Sequence, residues 1–234
     1  MKKTVWFLVF FCLLASGVAW ATPITPTYDS FGALPAATFG GSGIPNDRVA
    51  ISTWTSGGGV TITLGLTATP RYVNPPVTDD GAGTYTALAG VNAGYALWNF
   101  DYYIEVVGGS YAAYDFRLLY DFDPAAGNAS STHGTLYIPG ALITSPSQGS
   151  ENLAMPWLDT ASPPFVTPPP LYPSFSPTAV GEYTFALQVY GAGSSTLLDT
   201  VAIRVNAAPV PEPATITVLG MGLGALALGR LRKR

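Results

Sequence analysis

Apolar and polar residues alternate with a period of two through several stretches of this chain, which is the pattern of strands buried on one face. Residues 60–67 alternate strictly, and residues 97–107 and 112–122 alternate with aromatic side chains on the apolar face. The polar positions of the two longer stretches, which we expect to face solvent, include Asn99, Asp101, Glu105, Asp115, Arg117 and Asp121. Gly108-Gly109, between these stretches, predicts a hairpin turn.

The same alternation returns at residues 183–189 and 197–205, with a turn predicted over residues 191–195. Between residues 22 and 205 no apolar stripe of period 3.6 reaches helical length, and turn residues recur between the short strands. We therefore expect an all-β ectodomain over residues 22–206. Its predicted architecture is an antiparallel β-sandwich of the jelly-roll or immunoglobulin-like kind.

Residues 163–177 contain seven prolines, which exclude a helix or a central strand and favour extended, polyproline-like backbone. One interpretation is a linker between two small domains, and the other is a long surface loop of one sandwich. We favour the loop, because the single strand pair that follows is too small to be stable alone.

The first 21 residues have the three parts of a secretory signal peptide. Lys2 and Lys3 precede an apolar stretch over residues 5–18, and Ala19-Trp20-Ala21 supplies a small-residue site. We expect cleavage by signal peptidase after Ala21. The alternative is an uncleaved transmembrane helix, although its apolar run is near the short limit for spanning. Cys12, the only cysteine, lies in this segment, so the predicted mature chain has no disulfide.

Charge between residues 22 and 209 is strongly acidic, with four arginines and no lysine against thirteen acidic residues. Such a surface repels phosphate backbones, so we expect no binding of nucleic acid and no electrostatic attraction to anionic surfaces. The excess of acidic residues suits a protein that is soluble outside the cell, and a solvated acidic surface is the expected role of most of them.

Few residues are candidates for catalysis. His133 is the only histidine, and without a cysteine beside it the usual zinc, copper and haem sites are excluded. Ser131 lies nearby, but no orienting carboxylate or G-x-S-x-G elbow accompanies it, so we expect His133 to be a solvated loop residue. A glycosidase needs only two carboxylates, for which the candidates are Glu105, Glu151 and Glu182. Because two of them lie on polar strand faces, we predict a protein without enzymatic activity.

Asp121, Asp123 and Asn128 are the best candidates for binding an ion, because carboxylate and amide oxygens meet a glycine turn at the end of a predicted strand. Calcium takes six to eight such oxygens. The spacing departs from an EF-hand loop at its fifth, sixth and twelfth positions, which are Ala125, Ala126 and Thr132. We favour the alternative that these groups cap a turn, so no cofactor is predicted and calcium stays an open possibility.

The chain ends in three parts: Val210-Pro211-Glu212-Pro213, an apolar run over residues 214–229, and a basic cluster with Arg230, Arg232, Lys233 and Arg234. This end, which we delimit as residues 207–234, resembles the PEP-CTERM sorting signal of Gram-negative bacteria. The resemblance implies export and recognition of the Pro-Glu-Pro site by an exosortase, a membrane-embedded cysteine protease that processes the protein.

The apolar run over residues 214–229 also predicts a short transmembrane helix. At about 1.5 Å per residue it spans roughly 24 Å, less than the hydrocarbon core of about 30 Å. The basic cluster is expected to stay in the cytoplasm, which leaves the Pro-Glu-Pro site at the outer face. We therefore favour a transient membrane attachment that ends with transfer of the protein, and the alternative is a permanent single-pass anchor.

These features predict an exported structural or adhesion protein of the cell surface or extracellular matrix, without catalysis of its own. The family resemblance suggests a role in the cell envelope or in an extracellular polysaccharide matrix, as in a biofilm. The alternative is a lectin-like module or carbohydrate-active enzyme that uses surface aromatic residues, for which we single out Tyr102, Tyr103 and Tyr111.

Overall fold

The computed structural model describes residues 22–210 except positions 73 and 173. The predicted signal peptide and the membrane segment therefore lie outside the described residues. Among those described, no helix is long and apolar enough to cross a membrane. The strands are β1 (Ser30–Gly32), β2 (Val49–Thr55), β3 (Thr61–Pro70), β4 (Thr78–Asp79), β5 (Thr84–Leu88), β6 (Val91–Asn92), β7 (Tyr95–Ala96), β8 (Trp98–Val107), β9 (Tyr114–Tyr120), β10 (Gly134–Pro139), β11 (Ser147–Glu151), β12 (Val166–Thr167), β13 (Gly181–Gly191) and β14 (Leu197–Ala208). Short 3₁₀ helices lie at Tyr111–Ala113, Ser130–Thr132 and Gly140–Leu142.

The strands form two sheets that pack face to face. The first sheet has the order β1-β2-β3-β8-β11, and the second has the order β12-β10-β9-β13-β14-β5-β4. Neighbouring strands within the described sheets are antiparallel, except that β5 runs parallel to β14. A separate small hairpin joins β6 and β7. The predicted all-β sandwich is confirmed, with one parallel pair that the sequence pattern did not indicate.

The core lies between the sheets and is built from the alternating apolar residues of their strands. Phe100 of the first sheet stacks on Phe185 of the second with 4.6 Å between ring centroids. Trp98 lies 5.9 Å from Tyr183 and 6.2 Å from Phe185, measured in the same way. Each such side chain, once fully buried, contributes about 1.5–3 kcal/mol to stability. These contacts hold the ends of β8 and β13 together.

The outer face of the first sheet is covered by the irregular chain that precedes β2. Phe39 from this segment packs with Tyr103 on the sheet, and both are buried. The side chain of Gln148 on β11 fixes the segment, since its Oε1 accepts the N–H of Phe39 at 2.8 Å. Asp101 is also buried, so the prediction that it faces solvent is wrong. Alternation identifies the face that packs on the other sheet, but it does not show that a loop covers the opposite face.

The predicted hairpin at Gly108-Gly109 is wrong, because β8 and β9 belong to different sheets. The chain crosses from one layer of the sandwich to the other at this point. Gly108 has a φ of +78°, and a Cβ there would lie 3.0 Å from the carbonyl oxygen of Gly59. A glycine therefore suits the crossover as well as it suits a hairpin. The turn predicted between the last two strands is confirmed, since β13 pairs antiparallel with β14.

The proline-rich segment, residues 163–177, runs along the edge and one end of the sandwich. Within it, β12 pairs with β10 at the edge of the second sheet. The ring of Phe175 lies 5.3 Å from that of Tyr183 and 6.0 Å from that of Phe122, measured between centroids. The segment thus packs on the core that the strands before and after it build together.

Candidate functional site

The residues predicted as calcium ligands lie together after β9, in a turn closed by hydrogen bonds among themselves. Asp121 Oδ1 accepts the N–H of Asp123 at 2.9 Å, and Asp123 Oδ1 accepts the N–H of Ala125 at 2.9 Å. Nδ2 of Asn128 donates to Asp121 Oδ2 at 3.0 Å and to the carbonyl oxygen of Asp123 at 2.9 Å. The Asn128 side chain thus directs N–H groups at these oxygens, the arrangement of a capped turn. A cation would require that amide to turn its oxygen inward.

Asp121 is buried in this turn, so the prediction that it faces solvent is wrong. His133 is buried beside it, so the prediction of a solvated loop residue is also wrong. Its Nδ1 lies 2.9 Å from the carbonyl oxygen of Ala129, and since a carbonyl only accepts, this nitrogen is protonated and donates. Its Nε2 lies 2.8 Å from Thr184 Oγ1 and 3.6 Å from Asp121 Oδ2. Burial raises the pKa of the Asp121 carboxyl, and the nearby imidazole opposes that rise. The histidine therefore ties the turn to β13.

This cluster does not bring together a nucleophile and a general base whose side chains are free to react. Ser131 is exposed, whereas the side chain of His133 is fully enclosed with Thr184 and Asp121. Within residues 22–210, leaving aside positions 73 and 173, no group of three or more His, Cys, Asp or Glu residues is placed to hold a metal ion. The contacts of the cluster are those of a buried structural network.

The three glutamates considered for glycoside hydrolysis lie on different strands. Glu105 on β8 pairs with Thr63 of β3, and Glu151 on β11 pairs with Phe100 of β8, five residues before Glu105. At about 3.3 Å per residue this offset is roughly 16 Å, too far for a catalytic pair. Burial raises the pKa of Glu151. Glu182 belongs to the second sheet, where its Oε2 lies 3.2 Å from Arg204 Nε.

The three tyrosines singled out from the sequence do not form a row of exposed rings. Tyr103 is 1% exposed under the covering segment, and Tyr102 and Tyr111 are half-buried against the core. In contrast, Tyr72 is 82% exposed and has a φ of +54°, which is rare for a bulky residue. Its ring lies 4.8 Å from the guanidinium carbon of Arg71. The strand pattern gave no signal for Tyr72, because it follows the end of β3.

A groove of about 640 Å³ lies on the outer face of the first sheet, beside Tyr72. Thr69, Asn99 and Ser150, one from each of three neighbouring strands, contribute hydroxyl and amide groups to its lining. Residues 39–45 of the covering segment also line it. The volume lies within the range of small-molecule sites, about 300–1,000 Å³.

Asp101 lies next to the residues that line this groove. Its Oδ2 accepts the hydroxyl of Thr69 at 2.7 Å, and its register partner is Ser150. Its Oδ1 is buried and has no hydrogen-bond partner. Burial raises the pKa of the Asp101 carboxyl to about 7. The sequence placed this residue on a polar face, whereas the structure buries it completely.

The chain leaves the sandwich at the end where β14 stops. The N–H of Ala89 donates to the carbonyl oxygen of Ala208 at 2.7 Å, and the N–H of Gly90 donates to that of Pro177 at 2.7 Å. Val210 follows within two residues and is 54% exposed. The predicted sorting residues Val210 to Pro213 therefore begin next to the folded strand, although residues 211–234 lie outside the described part.

Comparison with protein families finds the PEP-CTERM protein-sorting motif at residues 209–234. No curated protein and no solved structure matches the chain. The match confirms the resemblance drawn from the Pro-Glu-Pro residues, the apolar run and the basic cluster. This chain therefore carries a PEP-CTERM sorting motif directly after the last strand of a β-sandwich, and that motif marks it as an exported protein processed by an exosortase.

Proposed function

We propose that the sandwich is a structural or adhesive protein of the cell surface or extracellular matrix, without catalysis of its own. The observation that supports this most is the state of the titratable groups considered for catalysis. His133 and Asp121 are enclosed with Thr184, and Glu182 is paired with Arg204, so these side chains stabilise the fold and do not face the groove. Signal peptidase and exosortase are the proposed processing partners, with extracellular polysaccharide as the surrounding material.

This proposal is tested by following the full chain in cells that contain an exosortase. We expect the wild-type protein to reach the cell surface or matrix fraction and to increase the cohesion of sedimented cells. The Glu212→Ala variant should remain in the membrane fraction and leave cohesion at the level of cells without the protein. Wild-type protein that reaches the matrix but leaves cohesion and surface attachment unchanged would contradict a structural or adhesive role.

A second candidate function is the binding of a neutral glycan in the groove, which its mixed lining favours. The half-buried amide of Asn99 and hydroxyl of Ser150, which hydrogen-bond to each other at 2.8 Å, are of the kind that bind sugar hydroxyls, and the exposed ring of Tyr72 offers a flat apolar face. These residues differ from the tyrosines singled out in the sequence. The groove supports binding, and the separated glutamates give no support to a hydrolase.

A glycan array probed with residues 22–209, with and without calcium, separates these candidates. Binding that falls at least tenfold, about 1.4 kcal/mol, in Tyr72→Ala and in Ser150→Ala would favour the groove. Tyr102→Ala is the control, because that half-buried ring packs on the core and is absent from the groove lining. Calcium-dependent binding that is lost in Asp121→Ala and Asp123→Ala would instead assign an ion to the turn.

A further inference from the structure

We propose that the end of the sandwich at which β14 stops lies against the lipid bilayer while the sorting segment holds the chain in the membrane. We call this surface the exit end; it consists of residues 89–97, 174–180 and 208–210 with Arg71, Tyr72 and Asn74. The proposal rests on the exosortase-type sorting described above. It adds the surface by which the folded part contacts the membrane.

Hydrogen bonds join the segments of the exit end into one surface. They run from Ala89 N–H to the Ala208 carbonyl at 2.7 Å, from Gly90 N–H to the Pro177 carbonyl at 2.7 Å, from Arg71 N–H to the Leu97 carbonyl at 2.9 Å, and from Asn92 Nδ2 to Asn74 Oδ1 at 2.9 Å. The guanidinium carbon of Arg71 also lies 4.1 Å from the ring centroid of Tyr95. The β6–β7 hairpin, the loop after β3 and the loop before β13 therefore meet at the point where the chain leaves the fold.

Exposed apolar side chains gather on this surface. Tyr72 is exposed, and Val91, Val180 and Val210 are 55%, 53% and 54% exposed. Moving these valine side chains out of water is favourable, and tyrosine is enriched at membrane interfaces. The surface thus has the composition of a membrane contact.

The exit end is also nearly free of charge in an otherwise acidic ectodomain. Residues 81–100 and 160–181 contain no Asp, Glu, Lys or Arg, and Arg71 is the one charged residue of the exit end as defined. Charged side chains are costly to bring to the hydrocarbon region, and none of the defined segments carries a carboxylate. The acidic residues elsewhere therefore do not oppose contact through this end.

The short connection to the membrane keeps the exit end near the bilayer. The sorting motif begins at residue 209, directly after the last residue of β14, and the predicted apolar run begins at Ala214. The six Cα–Cα steps from Ala208 to Ala214 span at most about 22 Å when fully extended. The interfacial region of each leaflet takes up roughly 6 Å of this length. The sandwich is thus confined to the membrane surface, and the end that carries the connection faces it.

The absence of cysteine after Cys12 allows a direct test with single-cysteine variants. In the full chain carrying Cys12→Ser, the exit-end variants are Val91→Cys and Val180→Cys. The controls are Val107→Cys, which is equally exposed at 55%, and Leu142→Cys, both at the opposite end of the strands. All four positions are exposed, so the core stays intact. Each variant is labelled with a polarity-sensitive fluorophore and reconstituted in phosphatidylcholine vesicles.

We expect blue-shifted emission and at least about twofold stronger quenching by spin-labelled lipid at positions 91 and 180 than at positions 107 and 142. Equal quenching at the four positions, or stronger quenching at positions 107 and 142, in chains that float with the vesicles would overturn this inference alone. Chains that fail to float would overturn membrane attachment by the sorting segment and this inference with it.

Discussion

Asp101 is a buried carboxyl group that destabilises the folded protein whenever it is ionised. Burial raises its pKa from 3.8 to about 7, so the folded protein holds more protons than the unfolded chain between about pH 4 and pH 7. The free energy of unfolding therefore falls as the pH rises through this window. Thr69 donates to one carboxylate oxygen, and the other oxygen has no donor.

The Asp101→Asn substitution should remove this cost at neutral pH. The oxygen of the new amide can still accept the Thr69 hydroxyl. Its NH₂ group takes the place of the unpartnered carboxylate oxygen, where no donor group opposes it. We expect the free energy of unfolding above pH 7 to rise by up to about 4 kcal/mol, the equivalent of the pKa shift, and to depend less on pH between 4 and 7. Urea denaturation at several pH values measures this. The exposed Asp47→Asn variant is the control, and a stability loss at pH 7 in Asp101→Asn would contradict the prediction.

His133 stabilises the fold through both ring nitrogens, so its replacement should be costly. We expect His133→Ala to lower the free energy of unfolding by roughly 2–4 kcal/mol, because Thr184 and Asp121 lose a buried partner. Urea denaturation measures the loss. Ser131→Ala, at an exposed position two residues away, should change stability by less than about 0.5 kcal/mol. Equal effects of the two substitutions would show that the imidazole contacts contribute little.

At the scale of elements, alternation predicted where β3, β8, β9, β13 and β14 lie, because a period of two follows from the backbone of a strand. It did not predict which strands pair. Gly108-Gly109 has the composition of a hairpin, yet β8 turns there into the other sheet, because pairing depends on residues that are distant in sequence. The environment of Tyr103 was missed for the same reason, since it depends on the chain before β2 crossing the sheet.

The proline-rich segment is held to the sandwich by Phe175, which packs among Trp98, Phe122 and Tyr183. We expect Phe175→Ala to lower the free energy of unfolding by about 2 kcal/mol, less than for a fully buried phenylalanine because this ring is half-buried. Thermal and urea denaturation measure the change. Tyr172→Ala, at an exposed position in the same segment, should cost less than about 0.5 kcal/mol. A loss as large in Tyr172→Ala would place the main attachment of the segment elsewhere.

At the scale of the whole molecule, the sorting motif was predictable because its parts are contiguous in the sequence. The groove was not, because Thr69, Asn99 and Ser150 become neighbours only when β3, β8 and β11 pair. The exit end also depends on topology, since the loops after β3 and before β13 meet the end of β14 only in the folded chain. The sequence therefore indicated export and exosortase processing, while the groove and the exit end could be found only in the folded chain.

The short connection between β14 and the apolar run should determine how the sandwich sits on the membrane. Ten Gly and Ser residues inserted after Ala208 add about 18 Å of root-mean-square reach. We expect the inserted chain to float with vesicles as before, while lipid quenching at Val91→Cys falls to the level at Val107→Cys, because the exit end is no longer confined to the surface. The same insertion after Gly193, in the exposed turn between β13 and β14, is the control and should leave the difference between positions 91 and 107 intact. Quenching at position 91 that persists after the first insertion would mean that the apolar exit end binds the bilayer without help from the short connection.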